Sequence, residues 1–394
     1  MKYYLILFLL GVTLLFSCNE ENEQMNELKI ELNSLSQKYA PDSRTSIFKY
    51  EIQSGRNTTL NLETNHKEAI KELEKYLSSK NIKIESNINF LPEENLGNKT
   101  FGIIDVSVAN IRSKPKHSAE LATQALLGTV VNVLKKKDGW YLVQTPDEYI
   151  AWIDDGALTL IDSTERNNYL KSEKIFFTGD YGFSYKTPAR KSLRVSDLVI
   201  GDILLFDGDV RNYFKVKYPD GRKAYVVKNE GVKFNQWLKF IKPTREKIID
   251  TAKTFLGIPY LWGGTSAKGF DCSGFTKTVY FLNGLILPRD ASQQAFIGEL
   301  IDTTVNLDKF KPGDLLFFGR KATKDKPAKV VHVGIYLGNG EFIHASGKVK
   351  INSLNKSSED FNNYRCNTFL FARRILNAKG KKSPIKINNS KFYR

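Results

Sequence analysis

Cys272 stands in the stretch Gly269-Phe270-Asp271-Cys272-Ser273-Gly274-Phe275 and is one of only three cysteines in 394 residues. A thiolate is a strong nucleophile toward carbonyl carbon, and it needs a base. The chain offers four histidines, and two of them, His332 and His344, fall in one short run, VVHVGIYLGNGEFIHAS. His66 and His117 stand apart and read as surface residues. Two strand-forming stretches flank Gly338-Asn339-Gly340, which marks a hairpin. Side chains alternate along a strand, so loop parity decides whether the two histidines share a face. A three- or five-residue loop centred on Gly338 places them together, whereas a two-residue Asn339-Gly340 turn would separate them. A shared site predicts the former. The assignment is then Cys272 as nucleophile, His332 as base and His344 as the group that orients the base. Cys and two His could also bind zinc, but spacing places no fourth ligand. No metal and no cofactor is expected. Cys272 could instead be half of a disulfide with Cys366, since an exported chain permits one. Cys366 lies in an apolar, strand-like run, YRCNTFLFARR, and reads as a small buried residue.

The elements around Cys272 must present it. GFDCSGFTKTVYFL passes from a glycine-rich loop to helical spacing of Phe275, Val279 and Leu282. Cys272 therefore belongs at a helix start, where free N–H groups and the helix dipole stabilise a thiolate. Such a place can lower a thiol from its usual pKa of about 8.5 by one unit or several. Gly269 and Gly274 permit a tight turn and close approach of substrate. Upstream, TREKIIDTAKTFLG reads as a helix capped by Thr244 and closed by Gly257.

The whole chain holds several domains. Met1 to Phe16 is a lysine followed by an apolar run, too short for a stable membrane span. It ends in Leu15-Phe16-Ser17-Cys18, which is similar to the lipobox of bacterial lipoproteins, and that resemblance implies acylation of Cys18. Residues 1–17 are then a signal peptide and 18–40 a tether with short helical character. Residues 41–100 read as a small α/β unit of ββαβ order. An internal repeat follows at an offset of 73 residues: WYLVQTPDEYIAWI at 140–153 aligns with YFKVKYPDGRKAYV at 213–226. Each copy is a set of short alternating strands, and two small barrels are expected over 101–162 and 163–243. Residues 244–376 form the third domain, and 377–394 a basic tail, expected to be disordered and solvated. The net charge of +16 would suit anionic polymers, but export removes nucleic acid as a partner.

The first barrel copy resembles bacterial SH3-like wall-binding modules, on Asn110-Ile111-Arg112, Pro115, DGWYLV and AWI. FLGIPYLWGGTSAKGFDCSGF, LPRDASQQ, FKPGDLLFF and HVGIYLGNGEFIHAS, in that order, resemble the NlpC family of papain-like cell-wall peptidases. The implied fold class is α+β: a papain-like NlpC catalytic domain preceded by two SH3-like barrels and a small α/β unit. The architecture is similar to the γ-D-glutamyl-L-diamino-acid endopeptidase subgroup, which cuts peptidoglycan stem peptides. The resemblance implies Cys272, His332 and His344 as catalytic residues and Tyr260 as oxyanion support. It implies Trp262, Asp271, Ser273, Arg289 and Asp290 around the substrate. It also implies that Glu120 and Tyr149, with Asp271, bind a free L-alanine amine. Glu148 and Ala151 depart from the subgroup's Gly-Tyr-x-Gly-Trp pattern around Tyr149. The expected product is a lipid-anchored, monomeric envelope enzyme. An amidase on the same scaffold and a non-enzymatic wall-binding lipoprotein are the competing expectations.

Overall fold

The computed structural model describes residues 23–53, 58–380 and 383–394. The signal peptide and Cys18 lie outside the described residues. The chain forms two compact units, one up to Asn95 and one from Leu96 onward.

The first unit pairs strands Phe48–Gln53 and Thr59–Thr64 antiparallel, and adds Glu85–Phe90 parallel to the latter. A parallel neighbour needs a crossover, and helix Lys67–Ser79 supplies it. This is the expected ββαβ order. The segment expected as a tether is different: residues 23–39 are helical. Leu28, Leu32 and Leu35 repeat at helical spacing and are buried with Leu60, Leu62 and Leu73. Removing three leucines from water outweighs what a solvated tether would gain.

In the second unit the repeat is structural. One seven-stranded sheet runs from Phe101–Ile104 to Leu158–Ile161, and a second from Lys174–Phe177 to Gly231–Lys233. Each strand of the second begins 73 residues after its counterpart, as Val130 and Ile203 illustrate, and the strand order is the same. The sheets are not closed, because the edge strands of each do not pair with one another. They are open sheets rather than closed barrels. The copies are joined through buried Asp202, whose carboxylate accepts from the N–H groups of Val199 (2.9 Å) and Leu127 (3.2 Å).

The remaining chain forms a six-stranded sheet of order 299–302, 369–374, 315–320, 329–338, 341–346 and 348–353. Helix Cys272–Phe281 packs Phe275 and Val279 against Leu315, Phe317, Val333 and Ile335 on one face. The other face is filled by Phe310, Leu316, Phe318, Tyr336 and Phe342. Thr244 caps helix Arg245–Thr254 by accepting from Lys247 N–H.

The basic tail is docked, not solvated. Ile385–Lys386 pairs with Leu285–Ile286, and Ile387, Phe392 and Tyr393 are buried. Three apolar side chains in its last eight residues give the tail enough burial to offset its ordering. Two polar ties hold the first seven-stranded sheet to helix Cys272–Phe281 and the loop before it. Lys277 pairs with the buried Asp147 at 2.9 Å. Gln124 Oε1 accepts from Thr265 N–H (3.0 Å) and from the Ser266 hydroxyl (3.1 Å).

Candidate active site

Asp271 is the N-cap of the helix that begins at Cys272, and its side chain accepts from Gly274 N–H at 2.7 Å. Cys272 is thus at a helix start, as its sequence predicts. Gly274 has a packing reason rather than a substrate one: a Cβ there would lie 2.0 Å from the carbonyl oxygen of Gly264. Both Cys272 and Cys366 are free thiols. Cys366 lies half-buried in helix Asn363–Thr368, not in a strand.

The histidines meet by a route that the parity argument did not include. The hairpin turn is the two-residue one, Asn339-Gly340, with both residues at positive φ (52° and 87°). That turn alone would put the histidines on opposite faces. A β-bulge between Tyr336 and Gly338 inserts one extra residue and restores the shared face. His332 Nε2 and His344 Nδ1 lie 2.7 Å apart. The ladder between the two strands stops at Ile335 and Ile343. Beyond it the N–H of Val333, next to the base, is directed to the Cys272 sulfur.

Two asparagines that the sequence did not single out complete the line. Asn352 Oδ1 faces His344 Nε2 at 3.0 Å, and Asn362 Nδ2 donates to the same oxygen at 3.1 Å. The backbone N–H of Arg365 donates to Asn362 Oδ1 at 3.0 Å. A backbone N–H can only donate, so the direction of every bond in the line follows from it. Asn362 Nδ2 is a donor, Asn352 Oδ1 an acceptor, and His344 carries its proton on Nε2. His344 Nδ1 then accepts from His332 Nε2–H, which leaves the lone pair of His332 on Nδ1. This is the tautomer a general base needs. The signal for Asn352 was present: Phe342 and Asn352 are cross-strand partners, as are His344 and Lys350, so Asn352 shares the face of His344. For Asn362 the sequence held no such periodic clue.

If this line sets the tautomer, Asn352→Leu lowers kcat by roughly ten- to a hundredfold with little change in KM. Asn352→Asp places a carboxylate near His344 Nε2–H, which raises the pKa of both histidines. Its acid limb of kcat/KM then moves to higher pH by about one unit. A pH–rate profile of both variants checks this, and an unmoved limb in Asn352→Asp would refute the electrostatic link.

The charge states follow from burial. Burial, then the Arg365 cation and His344, hold His332 well below the ordinary imidazole value. Burial lowers His344 to about 4. Cys272 does not follow the expected downward shift. Burial, reinforced by the Asp271 carboxylate, pushes its thiol up to about 11, over the opposing pull of Val333 N–H and Arg289. Only 8% of Cys272 is exposed, and desolvation outweighs the helix start. Burial, with Cys272 and Asp271 next in weight, pushes the Tyr260 phenol up to about 12, so it keeps its proton at neutral pH. Its backbone is fixed by donation from Tyr260 N–H to Gly347 O at 3.0 Å.

Several residues expected around substrate are spent on one another. Asp271 accepts two bonds from the Arg289 guanidinium, one at 3.1 Å, and further bonds from Gly263 N–H (3.0 Å), Gly274 N–H and Ser273 Oγ. Arg289 also donates to Ser273 Oγ at 3.1 Å. All three are buried. Asp271, Arg289 and Ser273 therefore form a brace behind the nucleophile, and the carboxylate has no acceptor capacity left for an ammonium. Asp290 caps the short helix Ala291–Gln294 in a capping box with Gln293. Trp262 is 63% exposed, and its Nε1 donates to Glu120 Oε1 at 2.6 Å. Gly263, at φ +81°, makes that contact possible: a Cβ there would lie 2.2 Å from Leu121 O. Glu120 is thereby set against the catalytic loop. Tyr149 lies near enough to Arg289 to act on it electrostatically. Glu148 holds φ +68°, so the turn before Tyr149 keeps a glycine-like backbone without a glycine. Among the described residues no group of three or more His, Cys, Asp or Glu could hold a metal ion.

Residues 257–365 match the NlpC/P60 family, and residues 111–158 match the bacterial dipeptidyl-peptidase SH3 domain. The chain is 34% identical over 234 residues to a γ-D-glutamyl-L-lysine dipeptidyl-peptidase of Bacillus cereus, covering 57% of this chain and 67% of that protein. A protein of the same name from Bacillus subtilis is 32% identical over 234 residues, with 57% and 72% covered. The crystal structure of an NlpC/P60 family protein from Bacillus cereus superposes with a TM-score of 0.58 at 28% identity, covering 70% of this chain and 99% of that one.

Proposed function

This chain belongs to the NlpC/P60 family, and from that membership we propose a cysteine peptidase that hydrolyses the γ-D-glutamyl–diamino acid bond of peptidoglycan stem peptides. The observation that carries this reading is the line His332–His344–Asn352, next to Val333, whose N–H is directed to Cys272, on a chain similar to named γ-D-glutamyl-L-lysine dipeptidyl-peptidases.

In this reading the Cys272 sulfur attacks the γ-carbonyl carbon of D-glutamate while His332 Nδ1 takes the thiol proton. The carbonyl oxygen gains charge and is met by the protonated Tyr260 phenol. As the tetrahedral centre collapses, His332 gives its proton to the departing α-amine of the diamino acid. Water then hydrolyses the thioester with His332 again as base. The acyl half ends in a free L-alanine amine. Glu120 supplies the carboxylate for that ammonium and Tyr149 a phenol oxygen. Asp271, saturated by Arg289, supports the site from behind. Trp262 both holds Glu120 and walls the pocket.

Residues 1–17 as a signal peptide and Cys18 as a lipid anchor suit an envelope enzyme whose substrate lies outside the cytoplasm. No helix among the described residues is long and apolar enough to cross a membrane. A monomer is the proposed working state.

Mass spectrometry of L-Ala-γ-D-Glu-L-Lys and its diaminopimelate counterpart, incubated with the purified protein, tests the bond assignment. Free diamino acid plus the L-Ala-γ-D-Glu dipeptide is the expected result. Intact tripeptide, or release of free alanine, would sink it.

A further inference from the structure

Arg365 carries a charge beside the nucleophile that no role above uses. It sits in helix Asn363–Thr368, and its backbone N–H is tied to Asn362, which is tied through Asn352 to His344. Its guanidinium lies 5.7 Å from the centre of the Phe318 ring and 5.3 Å from that of Tyr364. Phe318 is the cross-strand partner of His332, and their ring centres are 6.0 Å apart. The cation is thus on the His332 side of the site, and its field reaches Cys272, Tyr260 and both histidines.

Two neighbouring guanidiniums have counter-ions, Arg289 with Asp271 and Arg374 with Asp314, while Arg373 donates to the backbone oxygen of Gly298. Arg365 is half-buried, and among the described residues no carboxylate pairs with it; its neighbours are two aromatic rings, a thiol and a phenol. A partly desolvated guanidinium without an anion is costly to keep. Its planar fork of donors suits a carboxylate that arrives with substrate.

The leaving group decides which carboxylate. Because the base protonates the departing amine, the leaving half of the substrate lies on the His332 side. On the proposed reaction that half is the diamino acid, so this inference rests on that reading. We infer that Arg365 is a binding site for a carboxylate of the diamino acid, which makes the enzyme selective for stem peptides that end there. The acyl half is then recognised by its amine at Glu120, and the leaving half by its carboxylate at Arg365.

The test compares L-Ala-γ-D-Glu-L-Lys with its C-terminal amide, with the full-length protein and with Arg365→Gln. The wild type is expected to favour the free acid by at least about tenfold in kcat/KM. Arg365→Gln is expected to lose that preference, chiefly through KM for the acid, with the two peptides equal within about threefold. The diaminopimelate pair separates two sources of the carboxylate. If the α-carboxylate is bound, amidating it costs as much there as in the lysine pair. If the side-chain carboxylate is bound, α-amidation leaves the rate unchanged in both pairs, and both diaminopimelate peptides are cleaved faster than both lysine peptides. Equal wild-type rates on all four peptides would overturn the inference, and so would a preference that survives in a folded Arg365→Gln. The wild-type comparison needs no variant to fold. Cleavage of the γ-bond in any of the four peptides keeps the proposed reaction standing even if the preference is absent.

Discussion

Cys272→Ala lowers kcat for hydrolysis of L-Ala-γ-D-Glu-L-Lys by about 10⁴-fold or more, with KM little changed. The thiol is the group that forms the bond in the proposed reaction, whereas pocket residues hold the substrate without it. Alanine leaves the helix cap intact, because the Asp271 carboxylate accepts from Gly263, Gly274 and Arg289 and makes no bond to the Cys272 side chain. The loss is therefore chemical and not a loss of fold. His332→Ala has a comparable cost, and the double variant costs no more than the worse single one, because nucleophile and base act as a unit. A residual rate above roughly one hundredth of wild type in Cys272→Ala would remove Cys272 from its role. The pH behaviour has a definite sign. With the thiol pushed up to about 11 and His332 held well below the ordinary imidazole value, the resting pair is neutral. Alkylation of Cys272 by iodoacetamide is accordingly slow at neutral pH and rises as pH increases. The base is lost only when His332 is protonated, so the acid limb of kcat/KM lies below pH 6.5 rather than at it.

Acetylating the α-amine of the same tripeptide lowers kcat/KM by about a hundredfold or more. A charge-assisted hydrogen bond is worth about 1.5–3 kcal/mol, and losing it strands the Glu120 carboxylate beside a neutral amide. Glu120 is the carboxylate proposed to receive the ammonium; its Oε1 accepts from Trp262 Nε1 at 2.6 Å. Glu120→Gln is expected to shrink the free-to-acetylated ratio to about tenfold or less. Asp271→Asn should behave differently. It breaks a bidentate pair with buried Arg289, so its cost falls on stability, several kcal/mol, before it falls on selectivity. Thermal unfolding beside the two-substrate assay separates these effects. Equal rates on free and acetylated peptides would leave Glu120 without its role.

Much of the site was legible before any coordinates. Local chemistry announced the helix start at Cys272, the cap at Thr244 and the hairpin bearing two histidines, because each rests on residues near one another in sequence. The 73-residue repeat was visible for the same reason, and it extends to every strand of both sheets. What failed, failed where distant residues compete. The docked tail and the buried helix at 23–39 carry polar and apolar residues mixed, and only their partners decide which face is covered.

The residues proposed to do the chemistry were determined by sequence: a thiol at a capped helix start, two histidines in one hairpin, and an aromatic-glycine loop before them. The three-dimensional fold decided how they are charged and directed. A one-residue bulge, not the length of the turn, put His332 beside His344. An N–H in a short helix near the far end of the domain oriented two asparagines and so the base. Burial raised a thiol that its helix alone would lower, and an arginine spent Asp271 before substrate could reach it. Periodicity and capping are properties of neighbours along the chain, but desolvation, hydrogen-bond direction and charge pairing depend on what tertiary packing brings within a few ångströms.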